Sequence, residues 1–136
     1  MLYTADILRL AGSLPIARLA APDGTGEARA VTCGSLIRTE VKLARGRVVE
    51  LAQDVQACAF GQASAALVQA GAVGRSLEDV TTARTQMADW LSGKRDNPGT
   101  WPGLHALAPA RSKTGRHGAM LLPFDALIAA LANAGT

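Results

Sequence analysis

Three residues in this chain have the types and placement to do chemistry: Cys33, Cys58 and His117. Cys33 stands in Thr32-Cys33-Gly34-Ser35 and Cys58 in Ala57-Cys58-Ala59-Phe60-Gly61. As thiolates, cysteines bind soft and borderline metals and attack sulfur. Cys58 falls where an expected strand ends and an expected helix begins, and the unpaired amides of a helix N-terminus favour a thiolate. His117, in Arg116-His117-Gly118, comes just before the last expected helix and offers an imidazole nitrogen. Taken singly, each cysteine reads equally well as a small buried hydrophobe. His117 alone reads as a surface group, and His105 as structural. The Arg111, Lys113 and Arg116 run is either a solvated loop or a positive rim around a site.

Other chemical motifs are missing. Gly24-Thr25-Gly26 lacks the third glycine and the preceding strand that a dinucleotide loop needs. There is no phosphate-binding Walker loop and no nucleophile elbow. A Cys–His protease pairing has no local signature to support it.

The elements that must position these residues follow from periodicity. Tyr3 to Ala11 reads as a short helix, and Ala21 to Gly26 as a turn-rich loop. From Ile37 to Leu43, apolar Ile37, Val41 and Leu43 alternate with charged Arg38, Glu40 and Lys42, which predicts a half-buried strand. Ala44-Arg45-Gly46 turns the chain into a second strand over Arg47 to Gln53. A third, short strand is expected around Val55 to Cys58, so residues 30–58 make an antiparallel sheet of about three strands. Helices are expected over 62–73, 76–92 and 121–133, the second opened by a capping box in Ser76-Leu77-Glu78-Asp79. Lys94 to Pro102 is a loop, Leu104 to Leu107 a short turn, and Pro123 sits in the first turn of the last helix.

Composition narrows the class. The chain has 136 residues, is 49% hydrophobic and 18% charged, and so can bury a core as one domain, 1–136. Only 4% of residues are aromatic, while alanine is abundant, which favours closely packed helices. The net charge of +3 is mild, and no basic cluster is interleaved with aromatics, so nucleic acid is not an expected partner. An acidic protein partner fits the same charge. Asp6 and Arg9 interrupt the first apolar stretch, which is therefore no signal core, and no run approaches a membrane span. The expected setting is cytoplasmic, where two cysteines serve metal or sulfur chemistry sooner than a disulfide.

The segment Ala57 to Val68 resembles the cysteine–helix motif of the U-type iron–sulfur cluster assembly scaffolds, the IscU, NifU N-terminal domain and SufU-like family. Cys58, Ala63, Ser64, Leu67 and Val68 match that pattern. Cys33-Gly34 matches the family's upstream Cys-Gly. Gly74-Arg75-Ser76-Leu77-Glu78-Asp79 resembles its later helix start, and Leu122-Pro123-Phe124-Asp125-Ala126-Leu127 its final helix. The resemblance implies an α+β fold: a small antiparallel sheet of about three strands with helices packed on one side. It implies a scaffold or sulfur carrier rather than an enzyme. Such a protein takes sulfur from a cysteine desulfurase, assembles a transient iron–sulfur cluster and passes it to acceptor proteins. Relatives of the SufU kind bind zinc and accept sulfur instead.

Two positions depart from the family pattern. Ser35 stands where the family usually has aspartate. The third family cysteine, at the start of the last helix, is replaced by Ala119, with Gly118 where some members have histidine. The resemblance thus implies Cys33 and Cys58 as metal or cluster ligands, His117 as the candidate third, and Cys58 as the candidate sulfur acceptor. Cys33 and Cys58 belong at one end of the sheet, their sulfurs roughly 3.5–4 Å apart on one metal and within roughly 10 Å without it. Two other readings stand beside the scaffold: a zinc-binding persulfide acceptor, and a partner-binding module without metal. Leu107-Ala108-Pro109-Ala110-Arg111 loosely resembles the family's chaperone-docking segment.

Overall fold

A computed structural model describes residues 4–15, 18–30 and 34–134. Tyr3, where the first helix is expected to begin, and Cys33 lie outside these residues. Helix α1 (Ala5–Ala11) is followed by strands β1 (Gly24–Ala30), β2 (Ser35–Ala44) and β3 (Arg47–Gln56). Then come helices α2 (Ala59–Gly71) and α3 (Leu77–Leu91), a 3-10 segment at Leu104–Ala110, a short one at Thr114–Arg116, and helix α4 (His117–Ala134).

The sheet is antiparallel in the order β1-β2-β3. On its helix-facing side lie Gly24, Gly26 and Ala28 of β1, Ile37, Thr39 and Val41 of β2, and Leu51, Gln53 and Val55 of β3. The opposite side carries Glu27, Arg38 and Asp54 in one row across the three strands. Among the described residues, no helix covers that side. The connection after α1 crosses it, held where Glu40 accepts from the Leu19 amide at 3.0 Å and pairs with Arg18 at 3.3 Å.

The α+β class with three antiparallel strands matches expectation, but the strands are not the expected three. The third is β1, which begins inside the stretch Ala21–Gly26 expected as a loop, and Val55–Cys58 is no separate strand: β3 runs on to Gln56. Gly24 and Gly26 have the local pattern of a loop because their role is tertiary. A Cβ on Gly24 would lie 2.3 Å from the Ala130 carbonyl oxygen, and one on Gly26 2.3 Å from the Ala130 amide nitrogen. Glycine is required there because the backbone of α4 rests directly on β1.

The helices lie close to expectation, with two differences. Helix α2 begins at Ala59, so Cys58 is its N-cap and not the end of a strand. Helix α4 begins at His117, four residues early, so Pro123 lies inside the helix and not in its first turn. Pro123 has no amide hydrogen, which leaves the Ala119 carbonyl without its partner in the helix. The capping box of α3 is present: Ser76 Oγ accepts from the Asp79 amide at 3.2 Å, and Asp79 Oδ2 accepts from the Ser76 amide at 3.0 Å.

The core fills the space between the sheet and the helices with Ile7, Val41, Phe60, Val68, Met87, Trp90, Leu104, Phe124 and Leu127. Trp101 anchors it from the loop after α3. Its indole nitrogen donates to the Leu67 carbonyl at 2.9 Å, and its ring meets Phe124 edge to face at 5.1 Å. Helix α4 is long and apolar enough to cross a membrane by length and composition. It differs here from the expectation that no segment would be. Half of that stretch is buried inside the fold, against the sheet and the other helices, which is the pattern of a core helix.

Candidate metal and sulfur site

The sheet register defines one end of the molecule. Ala30 closes β1 opposite Ser35, and Gln56 closes β3 opposite Leu36. The β1–β2 connection and the step from β3 into α2 therefore share that end. Gly34, with φ +70, turns the chain there, and its amide donates to the Ala30 carbonyl at 2.9 Å. A left-handed conformation of this kind suits glycine. Cys58 sits at the same end, in extended conformation with φ −67 and ψ 172. It is a free cysteine, partly exposed, and its side chain makes no capping hydrogen bond to α2.

The first turn of α4 packs behind the first turn of α2. Ala119 is 3% exposed. A Cβ built on Gly61 would lie 3.3 Å from the Ala119 carbonyl oxygen and 3.7 Å from its Cβ. One turn further along α2, the Ser64 hydroxyl donates to the Met120 carbonyl at 2.6 Å, and Ser64 is fully buried. The small residues Gly61, Ser64 and Ala119 bring the two helix starts together. Ala119, the position aligned with a third cysteine, thus packs against Gly61, which lies one turn into α2 after its N-cap Cys58.

His117 opens α4, and its Nε2 lies 2.8 Å from the Arg111 carbonyl oxygen. A carbonyl only accepts, so Nε2 donates, and in the neutral imidazole the lone pair then falls on Nδ1. This is the arrangement in which a backbone carbonyl orients a metal-binding imidazole. The ring borders an open hollow of about 550 Å³ with Leu91, Ser92, Gly93, Arg111, Ser112 and Thr114. The hollow's described lining does not include Cys58. Arg111 is held in place there: its guanidinium lies 4.9 Å from the centre of the Trp90 ring, and Nε donates to the Trp90 carbonyl at 3.1 Å. His105 lies edge-on to Trp90 with ring centres 6.2 Å apart, the structural role expected of it. Among the described residues, no three His, Cys, Asp or Glu side chains gather as a metal-binding group.

Sequence reasoning did not single out Gly61 or Met120. Only Gly61's neighbourhood in the Ala57–Val68 motif pointed their way.

The comparisons with known proteins agree with this architecture. A family model, the NifU-like N terminal domain, matches residues 9–110. The chain belongs to that family. The match ends before α4, the helix on which the third-cysteine position falls. Solved structures extend the likeness to nearly the whole chain. The NifU-like protein (N-terminal) from Brucella abortus is 29% identical, with 98% of this chain and 94% of that one covered at a TM-score of 0.90. A protein named as an iron–sulfur cluster assembly scaffold for the SUF system, from the thermophile Fervidobacterium islandicum AW-1, shares the fold. It is 17% identical with a TM-score of 0.87, covering 96% of this chain and 97% of that one. A search of curated proteins gives no significant match.

Proposed function

We propose that this chain is an iron–sulfur cluster assembly scaffold, which receives iron and sulfur and passes a transient cluster to acceptor proteins. The observation that carries the reading is the juncture of α2 and α4 beside Cys58, in a chain of the NifU-like N terminal domain family. Cys58 is the candidate sulfur acceptor and one ligand. Cys33 and His117 complete the proposed set, His117 through Nδ1. The sulfur donor is a cysteine desulfurase, and a chaperone is a further candidate partner.

Ala119 gives this scaffold its character. A methyl group cannot bind iron or zinc, so the site holds at most two thiolates. Each thiolate adds charge and a soft-metal bond, and a tetrahedral site normally takes four ligands. The remaining positions fall to His117, solvent or a partner. Such a site suits passage of a cluster over storage. The same replacement favours a second reading, a zinc-binding persulfide acceptor, because one accessible thiol is enough to carry sulfur.

Anaerobic purification followed by metal analysis and an absorption spectrum separates the two readings. Reconstitution with iron and sulfide should give a visible cluster chromophore that Cys33→Ser and Cys58→Ser each abolish. Zinc without any chromophore would favour the sulfur acceptor. Full activity in sulfur and cluster transfer with both cysteines replaced would reject both readings in favour of a partner-binding module.

A further inference from the structure

The sheet has two edges, and β3 is the better sealed. The Val48 amide donates to the Arg75 carbonyl at 3.0 Å, and the Val48 carbonyl accepts from the Gly74 amide at 2.8 Å. Further along, Gln69 Nε2 donates to the Leu51 carbonyl at 3.0 Å. Leu51 therefore turns its backbone groups outward, and Ala52 and Asp54 turn theirs toward β2. Alternation carries across the sheet. Ile37, Thr39 and Val41 face β1, where they meet Ala28, Gly26 and Gly24. Thr25, Glu27 and Arg29 are left with their amides and carbonyls on the outer edge of β1. Asn133 supports this assignment, since its Nδ2 donates to the Thr25 carbonyl at 2.7 Å. Among the described residues, Glu27 and Arg29 have no hydrogen-bond partner on that edge. An open edge of this kind is a template for another strand.

We propose that this edge pairs with the same edge of a second copy, antiparallel about a two-fold axis at Ala28. In that register Glu27 stands opposite Arg29 of the second copy, and Arg29 opposite its Glu27. All four residues turn backbone groups outward, so the two strands exchange four hydrogen bonds and leave no open group at either position. Glu27 and Arg29 are exposed, and their side chains lie on the helix-free side of the sheet. Each therefore meets its opposite charge directly across the new pair, which stabilises strand pairing. A shift that centres the axis on Glu27 or on Arg29 places like charges opposite one another. The strand is thus self-complementary in one register, as a two-fold interface requires.

Helix α4 leaves room for the pairing because it crosses the sheet diagonally. Its early residues Leu122 and Ala126 pack with Ile37 of β2 and with Ala28 and Ala30 of β1, while Ala130 meets both Gly24 and Gly26 of β1. Near Ala28 the helix lies between β1 and β2. A two-fold axis turns a diagonal into a parallel line, so the two copies of α4 run side by side. Their separation is about two strand spacings, roughly 10 Å, an ordinary helix–helix distance. The proposal is independent of the scaffold reading.

Sedimentation equilibrium of the full chain tests it. The parent should dimerise, while Glu27→Arg and Arg29→Glu should each raise the dimer dissociation constant about tenfold or more, since each sets two like-charge pairs in place of two attractive ones. The double variant, Glu27→Arg with Arg29→Glu, should restore dimerisation close to the parent's. Both positions are exposed, and circular dichroism will show that the fold is intact. A parent that stays monomeric, single reversals that dimerise as tightly as the parent, or a folded double variant that fails to recover would each overturn the proposal.

Discussion

The Ser64 hydroxyl donates to the Met120 carbonyl at 2.6 Å, joining two residues 56 positions apart in the chain. This bond fixes α2 to the start of α4, beside the candidate ligand Cys58. Ser64→Ala should cost about 1 kcal/mol, the net worth of a typical intramolecular hydrogen bond. Urea unfolding followed by circular dichroism will measure it. The variant should also hold reconstituted iron less firmly, because the two helix starts are no longer tied. Unchanged stability would mean that the bond contributes nothing to the junction.

Ala119→Cys should place a thiol beside Gly61, one turn along from the helix start that carries Cys58. After identical reconstitution this variant is expected to retain more iron or zinc than the parent, against both air and a chelator. Metal content after desalting is the readout. A parent that already holds a full, chelator-resistant cluster, with no gain in the variant, would contradict the assignment of Ala119 to the missing ligand.

His117→Ala should lower the metal retained by the parent if Nδ1 is a ligand. His117→Gln is the informative companion, since its amide can still donate to the Arg111 carbonyl while offering no imidazole nitrogen. Equal loss in both variants would assign His117 to the metal. Loss in the alanine variant alone would assign it to positioning of the loop through Arg111.

Gly26→Ala should be among the most damaging single-methyl additions to the fold. The new Cβ would lie 2.3 Å from the Ala130 amide nitrogen, and the neighbouring atoms belong to helix backbone or a short alanine side chain. None of these can swing aside, so the expected loss is about 3 kcal/mol, the upper part of the range for overpacking. Gly115→Ala is the control, because a Cβ there meets nothing within 4 Å. Chemical denaturation of the two variants should separate them clearly.

Acid should weaken the start of α3. Asp79 has its pKa lowered below the ordinary aspartate value, first by the hydrogen bond from the Ser76 amide, then by the Ser76 side chain and the Arg47 charge, against an opposing effect of burial. A carboxylate depressed in the folded state stabilises fully above its unfolded pKa near 4, and that contribution fades as pH falls through the lower folded value. Asp79→Asn should flatten this part of the stability curve. A variant with the parent's acid profile would show that other carboxylates set it.

Much of this architecture is legible locally. The alternation from Ile37 to Leu43 marks β2, the turn at Ala44-Arg45-Gly46 leads into β3, and the Ser76–Asp79 capping box opens α3. These signals act over a few residues, so a single sequence displays them. The order of Cys33, Cys58 and the helix that follows Cys58 also pointed to the family.

What the sequence by itself could not determine is what depends on neighbours far along the chain. Gly24 and Gly26 read as loop residues, yet they belong to a strand because α4, more than a hundred residues later, rests its backbone on them. Pro123 reads as a first-turn residue, yet α4 begins four residues before the expected Leu121. The place of Ala119 beside Gly61, and the turning of His117 toward the Arg111 carbonyl, follow from how α2 and α4 pack. Periodicity records which face of an element is buried; only the folded packing decides which element buries it, and so which side chains share a site.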